Sequence, residues 1–377
     1  AAVMGLMHAF SAPAVGEVYM RTVALCEQSG EKGDPYAEAL HGLAQHHLSA
    51  ARFDDAARVA TVLLDHAREA GQPHPEVLAH RALSQVRFWT GRYTELWEHS
   101  ARAMELYDPE APVEQRFAMG IESGVIAMTY GAVGLWALGR PHEAAAMADR
   151  CVEHAKRQPD VYQQAYAQAY LSMLGIMLID PERVERWALA AKSIAERHGF
   201  APLEGLSRYT LAWAMAERGH PESFDMVVSG IGILAALGTG IGAPGCMAVV
   251  AEMYAKDGQF GEAAGYVAFG EAMADGTGQH FYTVELHRSA ALAHLGLADA
   301  ADDDEVRATE LHAAEQRASA AIDLARAQSA ASLELRAIQP MIELLCRRGD
   351  TEAARALLVD AVAKFPAESS GTELDRA

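Results

Sequence analysis

The sequence predicts an all-α chain in which antiparallel helix pairs stack into a superhelix, and three observations predict it. Ala is abundant, Val, Ile and Thr are sparse, and aromatic residues make up 7% of the chain, a balance that favours helix over sheet. No run of alternating apolar and polar residues bounded by turn residues stands out, so a strand-free chain is the expectation. A pattern of apolar helix, tight turn, aromatic or Pro, acid and then Ala recurs along the sequence.

The clearest copy spans residues 250–263. Gly258 supplies the turn, because a residue without Cβ enters the left-handed conformation that ends a helix without strain. Phe260 follows to fill the gap between two helices, and Ala263 is small enough to let the second approach the first. Other copies align on the turn residue. Residues 43–56 turn at Ala51 with Phe53, 83–96 at Gly91 with Tyr93, and 131–144 at Gly139 with Pro141. Residues 211–224 turn at Gly219 with Pro221, and 341–354 at Gly349. Pro141 stands at a helix start, where its missing N–H costs nothing. Weaker copies are expected near Asp180-Pro181 and near Ala298.

The spacing of these turns sets the architecture. Ala51 to Gly91 is 40 residues, Gly91 to Gly139 is 48, and Gly219 to Gly258 is 39. Gly139 to Gly219 is 80 and Gly258 to Gly349 is 91, each two units long. A period of about 40 residues is two helices and two turns, one unit of a tetratricopeptide-like α-solenoid with longer helices than the usual repeat of about 34. The expected fold is a right-handed superhelix of about eight helix pairs over residues 1–365, followed by a tail at 366–377. Extra residues are placed in the connections at 107–119 and 298–305. One pair cannot bury its own apolar stripe, so stacked neighbours bury it for one another. The first helices then line a concave wall, the second helices cover the outside, and one long groove is expected.

Charge narrows the function classes. Lys and Arg total 31 against 51 Asp and Glu, a net charge of −20. No run of Lys or Arg interrupts this, so nucleic acid is an unfavourable partner for the segment. Cys26, Cys151, Cys246 and Cys346 are far apart without a CxxC pair and read as buried, reduced thiols. No apolar run is long enough to cross a bilayer, and the start at Ala1 has no basic stretch ahead of an apolar one, so no membrane partner and a cytoplasmic location are expected.

Catalytic and cofactor motifs fail on context. Residues 240–245 match GxGxxG, but the motif needs a strand before it, and a helix is expected there. No GK[ST] or GxSxG occurs. His142-Glu143 opens an HExxH-like string that ends on Ala146 instead of the second His. Glu38 and His41 form one helical ExxH, where a di-iron bundle needs two. The expectation is no catalytic residue, no metal and no cofactor.

Six segments resemble one bacterial family. Residues 278–288, Gly-Gln-His-Phe-Tyr-Thr-Val-Glu-Leu-His-Arg, resemble its "GERWYEAELHRLKGELL" stretch. Residues 332–337, Ser-Leu-Glu-Leu-Arg-Ala, followed by 349–358, resemble its closing "SLELRAA" and "GRxxEARxLL". Residues 106–109, Gly124-Val125 and 135–141 are similar to it as well. The family is the C-terminal repeat region of large bacterial signalling ATPases. Many carry a class III adenylate cyclase domain, and related regulators carry a LuxR-type DNA-binding module. The resemblance covers residues 11–365 and implies an arm that senses an inducer or a partner and holds an ATPase in check. The tail departs, with Lys364-Phe365-Pro366-Ala367-Glu368 where relatives have "WFTEGFDT".

On tetratricopeptide geometry the groove candidates are His41, Gln45, Arg81, Gln85, Thr129, Tyr170, Tyr209, Trp213, Glu252, Glu285, Arg288, Arg336 and Glu343. Aromatic and Arg side chains are common anchors of recognition surfaces. The expected partners are a protein or peptide segment, or a small-molecule inducer, in the groove, together with an ATPase or cyclase module of the same polypeptide or complex. Two other readings stand beside this one: a stand-alone scaffold, and an α/α-barrel hydrolase or lyase.

Overall fold

The computed structural model describes residues 12–118, 120–236, 241–366 and 369. The chain is a helical solenoid. A leading helix α1 (Pro13–Ser29) is followed by α2 (Asp34–Ser49), α3 (Phe53–Ala70), α4 (Pro73–Trp89) and α5 (Tyr93–Leu106). A short helix α6 (Val113–Arg116) and the strands β1 (Phe117–Ala118) and β2 (Ile121–Glu122) come next. Then follow α7 (Ser123–Ala137), α8 (Pro141–Lys156), α9 (Val161–Met177), α10 (Pro181–His198), α11 (Ala201–Ala216) and α12 (Ser223–Ala236). The chain continues as α13 (Ala243–Lys256), α14 (Phe260–Thr277), α15 (Thr283–Ala300), α16 (Asp304–Ala327), α17 (Ala331–Arg347) and α18 (Thr351–Val362). The first helices of the pairs are α2, α4, α7, α9, α11, α13, α15 and α17.

Sequence dictates which helix lies inside. Every residue of α7 except Met128 is buried, and its Gly and Ala positions let neighbours approach from all sides. Cβ atoms at Gly131 and Gly134 would meet Ser100 at 3.2 Å and Trp97 at 3.3 Å. The second helices bury only one stripe. In α10 that stripe is Val184, Trp187, Ala188, Ala191 and Ala195, the spacing of one helical face. Each fully buried Val or Leu contributes about 1.5–3 kcal/mol. Phe260 packs on Gly296 of the next first helix, where an added Cβ would lie 2.1 Å from its ring.

The turns between paired helices fall where the repeat places them. Gly91, Gly139, Gly219, Gly258 and Gly349 all have positive φ, and so do Ala51 at 53° and Ile179 at 53°. Two details correct the sequence reading. Ala298 is not a turn, because α15 runs on to Ala300 and the extra residues extend α15 and α16. Asp303 stops the gap short by accepting from the backbone N–H groups of Glu305 and Val306, capping α16. The connection after α5 is not strand-free either: β1 and β2 pair antiparallel, with Phe117 opposite Glu122. Met119 in that connection lies outside the described residues, as do residues 1–11 and the expected tail except Pro366 and Ser369.

The coil then meets itself. His280 N–H donates to the Trp89 carbonyl at 2.8 Å, and the Tyr93 hydroxyl donates to the Phe281 carbonyl, 188 residues on. Ser332 Oγ donates to the Trp136 carbonyl at 2.6 Å, and Ser369 Oγ to the Gly139 carbonyl at 3.1 Å. Phe281 inserts between Phe88 and Trp89, with ring centroids 4.7 and 5.2 Å away. The turn edge of the early pairs is thus sealed against later turns at residues 278–282 and 330–332. The seam separates this coil from a barrel, in which neighbouring helices rather than turns would close the ring.

Candidate functional site

The inner wall carries two polar clusters. In the later half, Glu252 on α13, Glu285 and Arg288 on α15, and Arg336 on α17 meet in one buried network. Arg288 lies 2.6 Å from Glu252 and 2.7 Å from Glu285. Arg336 lies 2.9 Å from Glu285 and 3.3 Å from Glu252, and Lys256 reaches Glu252 at 3.1 Å from the rim. Burial acts to raise the Glu252 carboxyl, but Arg288, Lys256 and Arg336 overcome it and hold the pKa below the usual carboxylate range. The same pairing raises Arg288 against the opposite pull of burial. Here the groove projection chose residues that do come together, as a tie between three successive first helices.

In the earlier half the wall lines a partly open cavity of about 90 Å³. First helices of consecutive pairs build it: Gln45 and Leu48 from α2, Arg81, Gln85 and Trp89 from α4, Tyr130 from α7, Tyr162, Tyr166 and Tyr170 from α9, and Leu203 from α11. Ile121 of β2 and Ile241 before α13 complete the lining. The tyrosines of α9 recur every fourth residue and so share one helix face. Tyr166 and Tyr170 stack with centroids 4.3 Å apart. Gln45 Nε2 donates to Gln85 Oε1 at 2.9 Å, linking α2 to α4.

Among the described residues Arg81 is the one charged lining residue, and it is 2% exposed. Its Nη1 donates to the Ile121 carbonyl at 3.0 Å and to Ser123 Oγ at 3.4 Å. Its Nε has no hydrogen-bond partner, and among the described residues no carboxylate lies within ion-pair distance of it. Glu122 is buried nearby, but its carboxylate caps α7 by accepting from Val125 N–H at 2.7 Å and faces His154 at 3.2 Å. Burial lowers Arg81 to about 10, partly offset by Tyr166, Glu122 and Tyr130, so the guanidinium stays charged at neutral pH. Burial also raises the phenols of Tyr130, Tyr166 and Tyr170, which remain neutral donors.

The other projected residues are placed elsewhere. His41 is buried beside Arg81 and His74, and burial first, then Arg81 and His74, push its pKa well down. Thr129 turns to Cys151 Sγ at 3.6 Å, against its paired helix instead of the interior. Tyr209 and Trp213 are core residues, and Tyr209 borders a void of about 10 Å³ with Met173, Val249 and Phe281. Glu343 is exposed and pairs with Arg347 one turn on. The expectation of one long open groove is therefore corrected: of the projected set only Tyr170 and Glu343 escape full burial, because the sealed coil turns its inner wall into core. Cys346 is corrected too, since it is exposed while Cys26, Cys151 and Cys246 are buried.

No protein-family model matches the sequence, and no curated protein matches it. Among solved structures the chain is similar to a Rap protein complexed with competence and sporulation factor, at 13% identity and a TM-score of 0.42. That alignment covers 87% of this chain and 76% of the other. It is also similar to aspartyl phosphate phosphatase F from Bacillus subtilis, at 12% identity and a TM-score of 0.48, covering 96% of this chain and 92% of the other. Likeness at this level leaves the fold resting on the helix pairs themselves.

Sequence reasoning missed Trp89, Tyr130, Tyr162 and Tyr166 as lining residues. The stripe Tyr162, Tyr166, Tyr170 was a usable signal, because aromatic residues four apart on one helix share a face. The Ile121 carbonyl that orients Arg81 had none, since it depends on the β1–β2 turn. The Gly-rich stretch at 240–245 is preceded by helix α12, with residues 237–240 outside the described set. Gly242 N–H donates to Gln279 Oε1 at 2.7 Å, so this backbone is used for packing. Among the described residues no cluster of three metal-ligating side chains occurs, and no helix is long and apolar enough to cross a membrane.

Proposed function

We propose that the chain is a non-catalytic, cytoplasmic binding arm that takes a protein segment or small inducer inside its coil and relays the event as a change in curvature. One observation carries this reading: five consecutive first helices converge on a single cavity lined by polar and aromatic side chains. A ligand there touches many pairs at once, so its binding energy acts on their mutual angles. Occupancy that favours one pitch over another also loads the seam at Trp89, Phe281 and Ser332. Such an arm suits an adjoining ATPase or cyclase module, as the resembling segments imply, with residues 1–365 acting as one unit.

Panning a phage-displayed library of short random peptides against the protein tests this. Selected peptides are expected to raise the melting temperature, as any ligand specific for the native state does. Their binding should be lost in Gln45→Ala/Tyr170→Ala, with helicity unchanged by circular dichroism, and kept in Val228→Asp on the exposed face of α12. Binding that survives the inner double variant and fails in Val228→Asp overturns the reading.

A further inference from the structure

The tyrosine-lined cavity holds a buried cation that its surroundings leave incompletely used. Arg81 is 2% exposed, engaged only through Nη1, and its Nε–H donates to nothing. A buried donor left unmet is destabilising, and more so when it carries charge. Native interiors satisfy such groups, so an unmet one beside a cavity marks the place of a missing acceptor. The candidates within the protein are spoken for: Glu122 is committed to its helix cap and His154, and Gln85 Oε1 accepts from Gln45.

We infer that the Arg81 cavity is a binding site for a monoanionic carboxylate with a small apolar or aromatic body. The free edge of a guanidinium presents parallel N–H donors that match the two oxygens of a carboxylate. One cation neutralises one negative charge, and Glu122 close by disfavours a second, which argues against a phosphate dianion. The rest of the wall suits the body of such a ligand. Trp89, Leu48, Leu203 and Ile241 are apolar, and the Tyr130, Tyr166 and Tyr170 rings offer faces for stacking. The volume of about 90 Å³ admits only a small group. That group is either a free small acid or the C-terminal end of a peptide, which present the same carboxylate.

The inference rests on the reading of the coil interior as the binding site and names its ligand chemistry. Calorimetric titration of the full chain at neutral pH compares benzoate, benzamide, phenylphosphonate and a tripeptide ending in Phe, as free acid and as C-terminal amide. At least one acid is expected to bind at least about tenfold more tightly than its amide, the worth of one charge-assisted contact, and benzoate more tightly than phenylphosphonate. Arg81→Gln should erase the preference of acid over amide. Should Arg81→Gln not fold, Tyr170→Trp, which fills the cavity from another first helix, should abolish benzoate and peptide-acid binding alike. A peptide acid that binds more tightly than benzoate assigns the carboxylate to a chain end, and the reverse assigns it to a free acid. Equal affinity for each acid and its amide, or no heat from either acid, overturns the inference. Selected library peptides that still depend on Gln45 and Tyr170 would then leave the interior-binding reading standing without the Arg81 contact.

Discussion

Ser332 donates its hydroxyl to the carbonyl of Trp136, 196 residues earlier in the chain, at 2.6 Å. Both partners are fully buried, and Trp136 lies at the end of a first helix whose turn leaves no room for a side chain at Gly139, where an added Cβ would meet Ala331 at 3.1 Å and Phe365 at 3.2 Å. The contact turns two stretches of ribbon that share no repeat into neighbours.

Removing that hydroxyl should therefore be felt far from either repeat. Ser332→Ala and Tyr93→Phe each delete one donor to a buried carbonyl. Tyr93→Phe should cost about 1–3 kcal/mol, since it removes the hydroxyl that serves the Phe281 carbonyl. Ser332→Ala should cost about 0.5–1.5 kcal/mol, since the Trp136 carbonyl keeps the Gly139 N–H at 3.0 Å. The midpoint of urea unfolding, at unchanged slope, measures the loss. A neutral result for both would mean that the seam does not hold the coil.

Phe281 should be the costliest seam residue. It is 1% exposed and packs on Phe88, Trp89 and the space opposite Gly245, where an added Cβ would lie 2.3 Å from the ring. Phe281→Ala should destabilise by about 3–5 kcal/mol through lost burial and the cavity left behind. Gly245→Ala should destabilise by overpacking the same place, by about 1–3 kcal/mol. Calorimetric melting of the two variants checks both signs.

The ion network of the later pairs predicts a strong asymmetry. Arg288→Met leaves Glu252 and Glu285 with Arg336 as their buried partner and should cost about 3–5 kcal/mol. The double replacement Arg288→Met/Glu285→Gln removes one charge of each sign, leaves Arg336 beside Glu252, and should recover part of that loss. A double-mutant cycle on Glu285 and Arg288 should show coupling well above the fraction of a kcal/mol typical of surface pairs.

Stability should fall on mild acidification. His80 and His99 face each other, Nδ1 to Nδ1, at 2.9 Å. Burial pushes both to about 4, aided at His80 by Arg68 and Arg102 against Glu76, and at His99 by His80, Arg87 and Arg68. The unfolded chain binds protons at these rings near pH 6.5, while the folded chain does so only near 4. The stabilisation is therefore full above about pH 6.5 and is lost as pH falls toward 4. Melting temperature should drop by several degrees across that window, and His99→Gln should flatten the drop. A flat profile in the wild type would contradict the neutral pair.

Much of the fold was legible because each repeat is a local device. A turn at Gly91 or Gly258 and an apolar stripe such as that of α10 are fixed by residues close in sequence. Ala298 misled for the same reason: a small residue in an Ala-rich helix resembles a turn when periodicity alone is followed, and the real stop came from the Asp303 cap. The site was legible in part. The groove geometry brought Gln45, Arg81, Gln85 and Tyr170 to one cavity and the four charges to one network. It could not show that Ile121 and Ile241 border the cavity, because the first comes from the β1–β2 turn and the second lies ahead of α13, and no repeat pattern encodes either.

The seam also bears on the order in which the chain folds. Neighbouring pairs can zip together through short loops, but Tyr93–Phe281 and Trp136–Ser332 require ends of the chain that are distant in sequence to be in place first. Contacts of such long range are expected to form after the rate-limiting state of folding. On that expectation Tyr93→Phe should leave the refolding rate almost untouched and raise the unfolding rate, so that the seam acts as a brake that lengthens the lifetime of the finished coil.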